Sequence, residues 1–202
     1  MLRSVARSGL DADTPERSAP EAERREFVDS FADELGHRRP VDAVFLAATF
    51  GLVPKGPSDP TPETAVWLSA NNVDESVPVA VGSGALMPEA RGISIEAWTE
   101  TELCALHALW RAARVRDDRA LRDRALRAGA WHIEELDPEN ATHTPWAIHV
   151  FLVRWFELAD ANARLHAESL LHGCCVYTGR PDRRSALVLL DAADELKQLK
   201  IR

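Results

Sequence analysis

The stretch TETELCALHALWRAARVRDDRALRDRALRAGAWHIEELDP, residues 99–138, decides the fold. Thr99 with Glu102 three residues on makes a capping box, in which the hydroxyl satisfies an orphan helix amide and the carboxylate reaches back. Leu103, Leu106, His107, Trp110 and Ala113 then recur at helical spacing. Asp117-Asp118 breaks and recaps the chain. From 119 to 136 two adjacent stripes, Leu121/Ala125/Ala128 and Leu126/Ala130/Ile133, make a broad apolar face, which Asp137-Pro138 ends. Two antiparallel helices joined by a tight acidic turn follow from this pattern.

The same rhythm continues outward. Thr144-Pro145 pairs a cap residue with a proline suited to a first helical turn. Trp146–Ala159 is apolar almost all round, as a central buried helix would be. A break at Asp160–Asn162 precedes a helix over 163–177, and Gly179 and Pro181 punctuate the turn before a last helix over 182–199. A shift of 44 residues lays the pair 103–136 on 147–177, bringing Leu109 onto Val153, Leu121 onto Leu165, Leu126 onto Leu170 and Gly129 onto Gly173. Each pair is a helical hairpin that needs a stacked neighbour to cover its apolar face. The two glycines, costly inside helices, suggest close helix–helix approach. The expected fold class is all-α, built of stacked antiparallel hairpins.

The run Ala105-Leu106-His107-Ala108-Leu109-Trp110, with its acidic turn and alanine/leucine helix, resembles the α-hairpin units of α/α toroids and helical solenoids. Tyr177-Thr178-Gly179-Arg180-Pro181-Asp182 is similar to their inter-repeat turns. The resemblance covers about 99–199 and lies at the level of fold, implying a partial toroid or solenoid. Those families include sugar epimerases, glycan lyases and terpene cyclases, whose ligands sit where inner helices converge. No Asp-rich cyclase motif and no acid/base pair of a glycan enzyme is present, so no functional residue carries over.

Residues 1–100 are built differently, holding nine of the 12 prolines and seven of the 10 glycines. Residues 1–20 are polar and aperiodic and read as a disordered tail. Residues 21–35 form an amphipathic helix with Phe27, Val28, Phe31 and Leu35 on one side, stopped by Gly36. Pro40 opens VDAVFLAATFGLV, an apolar segment whose length favours a buried helix. Pro54, Pro57, Pro60 and Pro62 forbid regular structure, a helical turn or two surrounds Trp67, and Val77–Val81 with Gly92–Ile95 suit a small hairpin or extended wrapping. The expected organisation is a tail at 1–20, an acidic helix-plus-loop segment at 21–98 and a helical-hairpin domain at 99–202.

The 202 residues carry 24 Lys/Arg against 32 Asp/Glu, a net charge of −8, all of it within residues 1–100. An acidic chain repels phosphate backbones, so nucleic-acid binding is disfavoured. The arginines between Arg111 and Arg127, interrupted by Asp117, Asp118 and Asp123, read as ion-paired helix faces. No run approaches a membrane span, no secretory signal is legible at the start, and the odd set Cys104, Cys174 and Cys175 favours a reducing compartment, hence the cytoplasm.

Metal-ligand geometry is offered only by isolated pairs, Cys104/His107, Glu168/His172 and His132/Glu135, so no metal and no cofactor is assigned. Cys174 and Cys175, in an apolar helix, read as packing groups. The segment from Asp137 to His149 joins two helices and holds Asn140, His143, Trp146 and His149, candidate ligand-binding residues on a loop held by a rigid scaffold. Glu135 and His149 would be acid and base if the protein were an enzyme. The leading expectation is a non-enzymatic interaction or scaffold module that presents a helical groove to a protein partner or to its own copy. The alternative is a small toroid-like enzyme or ligand-binding protein acting on a carbohydrate-like substrate.

Overall fold

The computed structural model describes residues 1–72, 74–82, 84–88, 92–136 and 142–199. Its helices in chain order are α1 (Leu2–Ser8), α2 (Glu21–Ser30), α3 (Pro40–Thr49), α4 (Pro62–Ala70), α5 (Ile95–Val115), α6 (Arg119–Glu135), α7 (Ile148–Leu158), α8 (Ala161–Gly173) and α9 (Arg183–Gln198). The described residues contain no strand, so the fold is all-α, and Val77–Val81 is irregular, the Val79 amide closing a tight turn onto the Val77 carbonyl at 2.9 Å.

Ser94 opens α5: its side chain accepts the Ala97 amide at 3.3 Å. The expected cap at Thr99 lies one turn inside the helix and is buried. Glu102, also fully buried, spends its carboxylate on the amides of Leu86 (3.0 Å) and Met87 instead. On α6, Arg124 answers with hydrogen bonds to the carbonyls of Ala80, Gly84 and Ala85, at 2.9–3.0 Å. The loop crossing this hairpin thus has several of its peptide groups satisfied by two charged side chains, and its Ala80 amide by the Leu86 carbonyl at 2.8 Å, which is how a chain without ladder partners can lie on a core.

Two hairpins, α5–α6 and α7–α8, pack side by side, α7 touching α5 and α6, and α8 touching α6. Both turn by the same device. Asp117 (φ 51) and Ala159 (φ 54) are left-handed, and the following aspartate caps the next helix. Asp118 accepts from Ala120 and Leu121, and Asp160 from Ala163. These turns correspond at a shift of 42, because α8 starts at Ala161, earlier than expected. At a shift of 44 the buried pairs Leu109/Val153 and Leu126/Leu170 agree, whereas Leu121 is half-buried and Leu165 is 59% exposed. Gly129 does mark close approach, since a Cβ there would sit 3.2 Å from Arg154 Cδ and 3.4 Å from Val150 Cγ1. Gly173 ends α8 and lies against the Thr142 carbonyl.

The expected tail is instead a helix with a tether. Leu2 and Ala6 are buried, and α1 runs antiparallel along α9, Arg3 pairing with Asp194 while Gly9 abuts Pro181 and Ala186. Arg17 reaches Asp191 (2.8 Å) and Asp194 (2.9 Å), and Arg183 reaches Asp13 (3.2 Å) and Asp11 (3.3 Å). Local sequence could not reveal these, because every partner lies more than 150 positions away. The helix expected over 21–35 stops at Ser30, where Phe31 turns extended (ψ 132) and buries itself against Phe27, leaving Leu35 80% exposed.

The expected boundary at residue 98 does not divide the core. Phe45 of α3 and Trp67 of α4 stack on His107 of α5 and on Trp146, within one apolar cluster that extends from Leu2 to Ala193. A buried ion pair, Arg184–Asp42 at 2.5 Å, also joins α9 to α3. The arginine-rich stretch from Arg111 to Arg127 is less solvated than expected. Arg114 binds Glu195 across to α9, Arg111 lies 3.5 Å from Asp191, and Arg119–Asp123 is the i,i+4 pair seen there.

Candidate functional site

Of the residues singled out in the sequence, Asn140 lies outside the described residues. His143 is exposed, its ring edge-on to Tyr177 at 5.0 Å, and its carbonyl accepts from Ser185. Glu135 is exposed at the end of α6. Trp146 is 1% exposed, packed edge-on against Phe45 at 4.9 Å and His107 at 5.5 Å. His149 is fully buried, 4.3 Å from the His107 ring and 5.9 Å from Trp110, and neither of its ring nitrogens has a hydrogen-bond partner. Burial, with the nearby His107, drives the His149 imidazole well below the ordinary histidine range, so it is neutral. Glu135, His143, Trp146 and His149 are not brought together. Trp146 instead floors a cleft of about 340 Å³ beside Cys104, Glu63, Glu100 and Arg39.

The interior holds a polar pair the spacing did not reveal. His107 Nδ1 accepts the Ala147 amide at 3.2 Å, which assigns the ring proton to Nε2, and that nitrogen donates to Asp191 Oδ2 at 3.2 Å. Ala147 itself is left-handed (φ 55), the bend that sends the chain into α7. Burial alone would raise the Asp191 carboxyl, but the His107 hydrogen bond and the charges of Arg111 and Arg17 hold it far below the carboxylate range. An Asp–His pair commonly suggests proton transfer. Here both imidazole nitrogens are committed, so the pair acts as a strut between α5, α7 and α9. Of the pairs named for metal, Cys104 accepts the Trp67 indole N–H at 3.3 Å, Glu168 pairs with Arg164, and His132 lies 3.5 Å from Glu102 without a hydrogen bond among the described residues. Among the described residues no three His, Cys, Asp or Glu side chains converge.

The accessible chemistry lies on α7 and α8. The buried side of α7, with Val150, Phe151 and Val153, is consumed by the core. Being apolar on its other side too, the helix leaves Phe156 58% and Leu158 54% exposed, and Leu165 of α8 is 59% exposed. The expectation of a wholly buried central helix therefore holds only for its first half. Trp155 stacks on Phe156 at 4.5 Å, and the Arg164 guanidinium lies 5.1 Å above the Trp155 ring. Between the helices runs a groove of about 270 Å³ whose α7 wall is Ile148, Leu152 and Trp155, whose α8 wall is Ala167 and Leu171, and which Met1 and Leu2 at the start of α1 also line. Ile148, Leu152 and Trp155, spaced i, i+4, i+7, share one face of α7. Arg164 and Glu168, paired at 2.8 Å, form its rim. No described helix is long and apolar enough to cross a membrane. Comparisons of the chain with protein-family models, with curated proteins and with solved structures found no match.

Proposed function

We propose that this chain is a non-enzymatic docking module that binds an apolar protein surface through the α7–α8 groove. The observation carrying this reading is the preformed apolar groove walled by Ile148, Leu152, Trp155, Ala167 and Leu171, lined also by Met1 and Leu2 and rimmed by Arg164 and Glu168. Soluble surfaces carry isolated apolar side chains freely, whereas contiguous apolar patches mark interaction sites. A reducing compartment such as the cytoplasm fits three free thiols, including the adjacent Cys174 and Cys175 with their sulfurs 3.7 Å apart. The carbohydrate-enzyme alternative called for a cavity shared by Glu135, His143, Trp146 and His149; with those side chains apart, no observation favours it.

Incorporating a benzophenone amino acid at Leu165, next to the rim residue Arg164, with the exposed Glu96 as control site, tests the reading in the producing cell. Discrete protein adducts are expected from position 165 and not from 96. Equal, diffuse labelling at both positions would overturn it.

A further inference from the structure

Because α8 ends at Gly173, the two adjacent cysteines expected inside an apolar helix stand instead at its C-terminal cap and in the turn beyond. Their backbone is fixed by hydrogen bonds. The Cys174 amide donates to the Leu170 carbonyl (3.2 Å) and the Cys175 amide to the His172 carbonyl (2.9 Å), while the Cys175 carbonyl accepts the Gly179 amide (2.8 Å). In this conformation the two sulfurs lie 3.7 Å apart. Cys174 is 7% exposed, its thiol donating to the Leu171 carbonyl at 3.2 Å. Cys175 is partly exposed and is followed by the open side chains of Val176 and Tyr177, so a reagent reaches the pair from the Cys175 side. Cys104 has no part in it: its sulfur is held by Trp67, and among the described residues the three thiols do not converge.

Geometry separates the fates open to two thiols so placed. A disulfide brings its sulfurs to about 2.0 Å and is usually found with Cα atoms more than about 4.4 Å apart. Chain neighbours hold theirs at about 3.8 Å, so direct bonding here is strained and easily reduced. One atom bonded to both sulfurs at about 2.3 Å, as in metal–thiolate sites, leaves them roughly 3.3–3.8 Å apart for bond angles of about 90–110°. The observed spacing lies in that range. A divalent cation would call for further donors and for both thiolates. Among the described residues no third His, Cys, Asp or Glu joins the pair, and burial, with Cys175 beside it, pushes the Cys174 thiol well up. A trivalent centre that bonds sulfur without leaving charge behind has neither difficulty. We propose that Cys174 and Cys175 form a two-thiol capture site for a trivalent arsenical, separate from the α7–α8 groove. With an arsenoxide, R–As=O, two As–S bonds form while both S–H bonds and the As=O bond break. The two protons leave with the oxygen as one water, arsenic stays trivalent, and the product is neutral. Cys174 gives up its hydrogen bond to the Leu171 carbonyl in the exchange.

Phenylarsine oxide, added in equimolar amount to the reduced full chain and followed by intact mass, tests this. One phenylarsenic group per chain is expected, gained with loss of one water. Attachment at two points should let the adduct resist excess 2-mercaptoethanol yet yield to 2,3-dimercaptopropanol, because the second bond forms within one molecule at high effective concentration. Cys104→Ser is expected to change nothing. Cys175→Ser alters a partly exposed position and is expected to leave no adduct that survives the monothiol, with an unchanged circular dichroism spectrum. The folded turn holds the sulfurs at chelating distance, so several-fold more dimercaptopropanol is expected to be needed in buffer than in urea. An adduct stripped by the monothiol, one indifferent to Cys175→Ser, or equal retention in buffer and in urea would overturn the proposal.

Discussion

His107 and Asp191 show how a buried polar pair can be structural, and the surrounding charges make the point measurable. Asp191→Asn keeps the shape but removes the carboxylate that Arg111 and Arg17 share, leaving Arg17 to Asp194 and Arg111 to Glu195. Orphaning a buried charge typically costs about 3–5 kcal/mol, so with these second partners retained a smaller loss, still lowering the urea midpoint, is expected. His166 supplies a pH dependence of defined sign. Burial, with His132 nearby, lowers its imidazole from 6.5 to about 4. Between those values the unfolded chain takes up a proton that the folded chain refuses. The contribution is thus intact above pH 6.5 and is lost as pH falls toward 4, by up to about 3 kcal/mol at the lower end. His149, depressed for the same reason, acts in the same direction. Urea titrations at pH 7.5 and pH 5 should show this loss, and His166→Leu should recover part of it. Of these roles the sequence disclosed little. The Thr99/Glu102 pattern has the spacing of a cap, yet Glu102 is drawn away by the Leu86 and Met87 amides, partners that only the folded chain brings near.

Where an element begins and ends depends on neighbours within a few residues, and these limits were mostly legible. The bounds of α6 and α9 fall within about one residue of their apolar stripes and acidic caps. The misses have local causes that the pattern does not encode. At α2, Phe31 leaves the helix at ψ 132 and stays buried beside Phe27, with the Arg183 guanidinium over both rings. At α8, the left-handed Ala159 allows Asp160 to cap early. That turn makes a stabilising substitution available. Ala159 is exposed at φ 54, a conformation costing an L-residue about 1–2 kcal/mol, so Ala159→Gly should raise the thermal midpoint unless added unfolded-state freedom cancels the whole gain. Asp160→Ala should do the opposite, by about 1 kcal/mol for the lost Ala163 contact and somewhat more because Arg154 also binds this carboxylate. Differential scanning calorimetry of both variants checks the pair. The exposed half of α7 could have been suspected from its being apolar on every side, since a helix at the edge of a stack buries only one.

Across the whole molecule, long-range ion pairs hold together what composition divides. A seven-residue helix is too short to persist alone, so α1 exists through Leu2, Ala6 and the charges linking it to α9. Surface pairs of this kind contribute about 0–1 kcal/mol each and weaken with salt. Amide exchange over residues 2–8 is accordingly expected to quicken in about 1 M salt, where screening reaches about 3 Å, while α5 is unaffected. Equal protection of α1 and α5 in high salt would contradict this. The clamp formed by Glu102 and Arg124 has a different consequence, for inheritance. It grips main-chain amides and carbonyls, which every residue type except proline supplies in full, and ignores the side chains of the segment it secures. The route of this segment is thereby decoupled from the spelling of solvent-facing positions such as Val81, which can drift while the two charged grips persist, whereas Leu86 and Met87 are fixed by their burial in the core.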